Sequence, residues 1–183
     1  MNRRLAQGIG AEPPTPTTPE TTAVVAIGAN LGDRAATIDE ALRDLARLPL
    51  TTDIRAAAPI ETVALTLDGP DASAPAYLNT VALLTTRLAP SVLLAYLHAI
   101  ERRHGRAPRG ADQPRWQDRT LDLDLIAYGD VRSTDPALQL PHPRAAERDF
   151  VLAPWLVVDP DAVLPGAGRV ADLLAHLRTD ADA

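Results

Sequence analysis

Two aspartates, Asp122 and Asp124 in L-D-L-D-L-I-A-Y (Leu121 to Tyr128), are the residues whose type and spacing most directly suggest chemistry. Side chains two apart on an extended strand project to the same side, so these carboxylates can share one or two hard cations. Mg²⁺ suits such a pair, because it takes oxygen ligands and keeps positions for water and substrate phosphates. A half-exposed strand also alternates charged with apolar residues, and the spacing alone leaves both readings open.

The preceding loop adds weight to the cation. Arg102, Arg103, Arg106, Arg109, Arg115 and Arg119 fall within it, a third of the chain's 18 basic residues. Guanidinium groups beside a carboxylate-bound divalent ion are what a polyphosphate needs, as bidentate donors and as charge for a transition state. A solvated loop or an RNA-binding patch would use the same residues. Single-stranded RNA, however, calls for interleaved stacking aromatics, and Trp116 is the one aromatic there. All 18 basic residues are Arg, and Lys and Cys are both absent. That excludes a Gly-Lys-Ser/Thr phosphate loop, Schiff-base chemistry, disulfides, thiol nucleophiles and zinc fingers.

The elements that must position these residues follow from length and pattern. A chain of 183 residues with 46% apolar residues is one domain's length and can build an ordinary core. The net charge of −6 argues against a general nucleic-acid binder. No apolar run approaches the roughly 20 residues of a membrane span, and the N-terminus lacks a signal-peptide core, so the expectation is a cytoplasmic protein. Residues 1–22, rich in Pro and Thr, read as a disordered leader, and 23–183 as a single domain. Ala23 to Ile27 reads as a buried strand closed by Gly28, and Asp33 as the cap of a helix carrying Ile38, Leu42 and Leu45. A strand at 51–58, a polar loop at 65–76 and a strand from Tyr77 to Leu88 come next. Pro90 opens a second helix with Leu93, Leu97 and Ile100 on one face and Gly105 as its stop. After the Asp strand come a short helix near 143–149 and a C-terminal helix near 169–178. The order β-α-β-β-α-β is that of a ferredoxin-like α+β sandwich, an antiparallel sheet with helices on one face, here with extra C-terminal elements.

R-W-Q-D-R-T-L-D-L-D-L-I (Arg115 to Ile126) resembles the signature of the 6-hydroxymethyl-7,8-dihydropterin pyrophosphokinase family of folate biosynthesis. Four further blocks are similar and in the same order: A-I-G-A-N-L-G-D, Y-L-N-T-V, I-E-R-R-H-G-R and L-P-H-P-R-A-A-E-R-D-F-V-L. Together they cover about residues 23–165. The family's fold is a ferredoxin-like α+β sandwich, in agreement with the element order.

The resemblance implies transfer of pyrophosphate from ATP to the pterin hydroxymethyl group, with release of AMP. On this chain it implies that Asp122 and Asp124 hold two Mg²⁺ ions with ATP, and that Arg106 and Arg119 stabilise the transferring group. It places Glu101, Trp116, His142 and Arg148 on ATP. Tyr77 and Phe150, the chain's one Phe, would sandwich the pterin ring, Asn79 would bond its edge, and Thr62 and Leu65 would offer backbone contacts. Gly28 and Asn30 would form a tight turn beneath. Partners are then ATP and the pterin, with no nucleic acid and no membrane, and the protein a monomer. The loops at 65–76 and 105–118 are expected to act as lids.

Departures from the family pattern are Gln117-Asp118 before Arg119, Val63-Ala64 after Thr62, and Ala29 in place of Ser. Two other functions remain open from the residues: a Mg²⁺-dependent nucleotidyltransferase using the same Asp pair, and an RNA-binding module using the Arg loop.

Overall fold

In a computed structural model, residues 19–66, 69–71, 75–105 and 120–181 are described. The first strand, β1 (Thr21–Ala29), is nearly continuous in apolar residues because both of its faces are covered. It starts two residues inside the expected leader, with Thr21 and Thr22 paired to Thr86 and Thr85. Residues 1–18 lie outside the described residues.

Helix α1 (Arg34–Ala46) is capped as the sequence implied, the Asp33 side chain accepting from the Ala36 N–H at 3.0 Å. Strands β2 (Thr51–Ala56) and β3 (Ile60–Thr62) follow. The expected polar loop contains a small hairpin, β4 (Ala64–Thr66) with β5 (Gly69–Asp71). Strand β6 (Tyr77–Thr86) leads to α2 (Pro90–Arg103), which starts on its proline and gives way to Gly105 at φ 89°. Then come β7 (Asp122–Tyr128), the hairpin β8 (Ser133–Asp135) with β9 (Leu138–Leu140), and a 3₁₀ turn at Ala145–Glu147. Helix α3 (Asp149–Val158), the hairpin β10 (Val163–Leu164) with β11 (Gly168–Arg169), and α4 (Val170–Ala181) complete the order.

The main sheet runs β2-β6-β1-β7, all antiparallel, with β3 also paired to β6. That order is the ferredoxin-like one. The expectation that helices cover one face is corrected. Ile38, Leu45, Leu93, Leu97 and Ile100 of α1 and α2 pack on one side with Val25, Ile27, Leu84, Leu123 and Leu125. Val151, Leu152, Trp155 and Leu174 of α3 and α4 pack on the other with Val24, Val81, Leu83 and Ile126.

Helix α3 escaped the pattern reading because D-F-V-L-A-P-W-L-V-V is apolar nearly all round, leaving no helical period, and it contains Pro154. An internal proline costs a helix about 3 kcal/mol. Burying Val151 and Leu152 contributes about 1.5–3 kcal/mol each, which offsets it. No helix among the described residues is long and apolar enough to cross a membrane.

Candidate active site

Strand β7 alternates as its sequence does. Leu121, Leu123 and Leu125 enter the core under α1 and α2, so Asp122 and Asp124 project to the opposite face, where both are half-exposed. Pairing places Asp122 opposite Gly28 of β1, and Gly28 opposite Asn79 of β6. Asp124 lies opposite Ala26, and Ala26 opposite Val81. The carboxylates and Asn79 therefore share one sheet face within two strands of each other.

Gly28 is not in a turn, as expected, but inside β1. A Cβ there would lie 2.8 Å from Asn79 Oδ1, so glycine is what lets the Asn79 side chain cross the strand. Asn79 is 7% exposed and donates through Nδ2 to Thr62 Oγ1 at 2.7 Å. Thr62 pairs with Tyr77 across β3 and β6, so Thr62, Tyr77 and Asn79 form one patch. Leu65 lies in β4, with its backbone paired to Pro70. Arg34, which no sequence signal marked, ties this patch down: Nη1 donates to the Ala76 carbonyl at 2.6 Å, and Nη2 lies 3.5 Å from Glu61.

The charged half of the site is assembled from the segment after β9. The His142 N–H donates to the Ile126 carbonyl at 2.8 Å, which docks this segment on the outer edge of β7. The imidazole Nε2 then lies 3.9 Å from Asp124. His142 Nδ1 accepts from the Arg144 N–H at 3.2 Å, so in the neutral ring the proton is on Nε2, facing Asp124. Burial holds the imidazole below its ordinary 6.5; Asp124 pulls the other way, and Arg148 and Arg144 add to the fall.

Arg148 stands at the start of α3 and donates through Nη1 to Asp124 Oδ2 at 2.8 Å. Its guanidinium carbon is also 5.7 Å from the centre of the Phe150 ring, which the same helix start delivers. The segment 142–150 thus brings His142, Arg148 and Phe150 together at Asp124 of β7.

Glu101 stands apart from the other residues expected on ATP. It is 1% exposed, on α2, and accepts from the Leu123 N–H at 2.9 Å. Arg106, Trp116 and Arg119 lie outside the described residues.

Among the described residues no group of three or more His, Cys, Asp or Glu side chains could hold a metal ion by itself. Two carboxylates at a half-exposed strand end fit an ion that keeps most of its ligands as water and phosphate oxygen. That chemistry is Mg²⁺ and not Zn²⁺. Concavity alone does not mark the site: a groove of about 580 Å³ lies between α1 and α2, lined by Arg47, Tyr96, Arg102 and Arg103, away from the Asp pair.

A ferredoxin-like sheet with paired carboxylates, an arginine and a neutral histidine at one end defines an α+β enzyme that handles phosphate groups. Residues 24–160 match the family described as 7,8-dihydro-6-hydroxymethylpterin-pyrophosphokinase. The chain is 40% identical over 153 residues to the 2-amino-4-hydroxy-6-hydroxymethyldihydropteridine pyrophosphokinase of Pseudomonas aeruginosa, covering 82% of this chain and 88% of that one. It is 33% identical over 153 residues to the enzyme of the same name from Haemophilus influenzae, covering 84% and 91%. In structure it resembles the Plasmodium falciparum HPPK-DHPS solved with pteroate, with a TM-score of 0.67 at 11% identity over 90% of this chain. It spans only 46% of that longer protein. This chain belongs to the 7,8-dihydro-6-hydroxymethylpterin-pyrophosphokinase family.

Proposed function

We infer that this chain transfers pyrophosphate from ATP to the hydroxymethyl group of 6-hydroxymethyl-7,8-dihydropterin, giving the pterin diphosphate and AMP, a step of folate biosynthesis. The observation that carries the reading is the shared sheet face of Asp122, Asp124 and Asn79, in a chain that belongs to this family. It sets a charged half for phosphates against a neutral half for a heterocycle.

On this reading Asp122 and Asp124 would hold two Mg²⁺ ions together with ATP, and the ions would supply positive charge against its phosphates. Arg148 reaches Asp124 at 2.8 Å and can exchange that carboxylate for a phosphate oxygen without leaving its place at the start of α3. His142, kept neutral by burial, offers its Nε2 proton to a phosphate oxygen. Arg106 and Arg119 stabilise the transferring group, and Trp116 closes over ATP; these three roles rest on the resemblance of their motif.

Asn79, with Nδ2 engaged by Thr62, keeps Oδ1 to accept from an amino edge of the pterin. Tyr77 and Phe150 supply the stacking faces, and burial at the patch excludes water from the ring. Residues 23–183 act as one domain. Incubation with Mg-ATP and 6-hydroxymethyl-7,8-dihydropterin is the test, with AMP and the pterin diphosphate as expected products. Release of inorganic pyrophosphate in place of AMP would instead mark a nucleotidyltransferase.

A further inference from the structure

Glu101 is a buried carboxylate that the transfer reaction itself leaves without a task. Among the described residues strand β7 is the last in the sheet order, so one side of its backbone has no strand partner among them. Groups on such an edge must find other partners when buried. Two of them do so on either side of Asp124. The Leu123 N–H is held by Glu101 Oε1 at 2.9 Å, and the Ile126 carbonyl by the His142 N–H at 2.8 Å.

Leu123 is the residue between the two aspartates. The direction in which their carboxylates point depends on the backbone at 122–124, and hence on where the Leu123 peptide is held. Glu101 is well placed to hold it, because α2 is anchored in the core beside it through Leu97 and Ile100. It works from the α2 side of the sheet, opposite the face that Asp122 and Asp124 use.

We propose that Glu101 is a positioning residue for the cation-bearing carboxylates. It clamps the Leu123 peptide so that Asp122 and Asp124 converge, and it does not touch ATP. The proposal rests on the Asp pair holding the divalent cation, as inferred above. A charge-assisted bond to the backbone is stronger than a neutral one, which gives a reason for Glu over Gln at this place.

The test compares Glu101→Gln, which keeps an acceptor oxygen, with Glu101→Leu, which removes it. Mn²⁺ affinity is measured in the presence of a non-hydrolysable ATP analogue, alongside pterin affinity, kcat and exchange of the Leu123 amide. Glu101→Leu should weaken Mn²⁺ binding about tenfold to hundredfold, the range for losing a group that orients a metal ligand. It should also speed exchange at Leu123 and lower kcat, while pterin affinity stays near wild type. Glu101→Gln should recover most of the Mn²⁺ affinity.

Wild-type Mn²⁺ affinity in a folded Glu101→Leu variant would overturn the proposal, showing a merely structural bond. Loss of analogue binding in Glu101→Gln at saturating Mn²⁺ would overturn it in favour of direct contact with the nucleotide. If Glu101→Leu does not fold, the wild-type exchange decides: a Leu123 amide that exchanges as freely as an open loop overturns the clamp. None of these readouts needs turnover. A wild-type protein that binds Mn²⁺ through the Asp pair but makes no pterin diphosphate would sink the proposed reaction and leave the positioning role standing.

Discussion

The two faces of the sheet differ in how completely they are covered. Under α1 and α2, strand residues Val25, Ile27, Leu84, Leu121, Leu123 and Leu125 meet apolar helix residues. Polar groups on this side are matched: the Tyr128 hydroxyl donates to the Leu88 carbonyl, the Thr80 and Thr86 hydroxyls to the Ala57 and Leu50 carbonyls, and Glu101 takes the Leu123 N–H. Under α3 and α4, Val24, Val81, Leu83 and Ile126 are buried in the same way. That cover begins only at α3, and beyond its start stand Asn79, Gly28, Asp122 and Asp124. One strand serves both faces, so the dry face holds a backbone whose alternate side chains form the proposed site on the other. The site exists where helical cover stops.

If the faces divide labour this way, substitutions on them should separate activity from stability. The largest effect is expected from Asp124→Ala. Transition-state stabilisation should fall by about 4 kcal/mol, seen as a loss of about a thousandfold in kcat/KM. Its melting temperature should stay close to wild type, because the carboxylate is half-exposed. A variant keeping most of its turnover would remove the metal assignment.

Leu97→Ala, on the covered face, should do the reverse. Leu97 is fully buried, and truncation there should cost about 3 kcal/mol of stability. Below its melting range the variant should keep wild-type KM values for both substrates. A raised KM would show that the covered face reaches the site more directly than the comparison allows.

Gly28→Ala sharpens the boundary between the faces. The new Cβ would meet Asn79 Oδ1 at 2.8 Å and push it from the pterin patch. Pterin binding should weaken by about tenfold or more, roughly 1.4 kcal/mol per decade, while ATP affinity is unchanged. Calorimetry with each ligand checks this. Equal losses for both ligands would break the division into a neutral and a charged half.

The smallest effect concerns His142 in the metal-free protein. Its folded value lies below 6.5, so between the two the unfolded chain binds more protons than the folded one. Its contribution to stability is therefore full above 6.5 and declines as pH falls below it. Denaturant titrations across that window should show stability rising with pH, and His142→Asn should flatten the rise. An unchanged slope in the variant would assign the dependence to another group.

Much of this was legible along the chain. The Asp33 cap, Pro90, the leucine spacing of α2 and the alternation of β7 are local, written within a few residues, and each reappears in the structure. That the two carboxylates share one strand face follows from their spacing, which by itself leaves their chemistry open. What was not legible is non-local. Helix α3 shows no period because its exposed side carries apolar residues as well, Val157 among them, so no polar face marks it. Nothing in the neighbours of Glu101 shows that its carboxylate meets an edge-strand N–H 22 residues further on. Gly28 looked like a turn residue, because the Asn79 side chain that requires it comes from another strand.

The sequence by itself determined which groups were available: no lysine, an arginine-rich loop, two aspartates on one strand face, and a ferredoxin-like order of elements. Tertiary structure alone decided which of them meet. Arg148 reaches Asp124 across 24 residues, His142 is brought to the same carboxylate by a bond to the Ile126 carbonyl, and Glu101 is withdrawn into the core. Side-chain spacing is set by local backbone geometry, which a sequence carries, whereas contact between distant segments depends on how the sheet pairs and which face each helix covers.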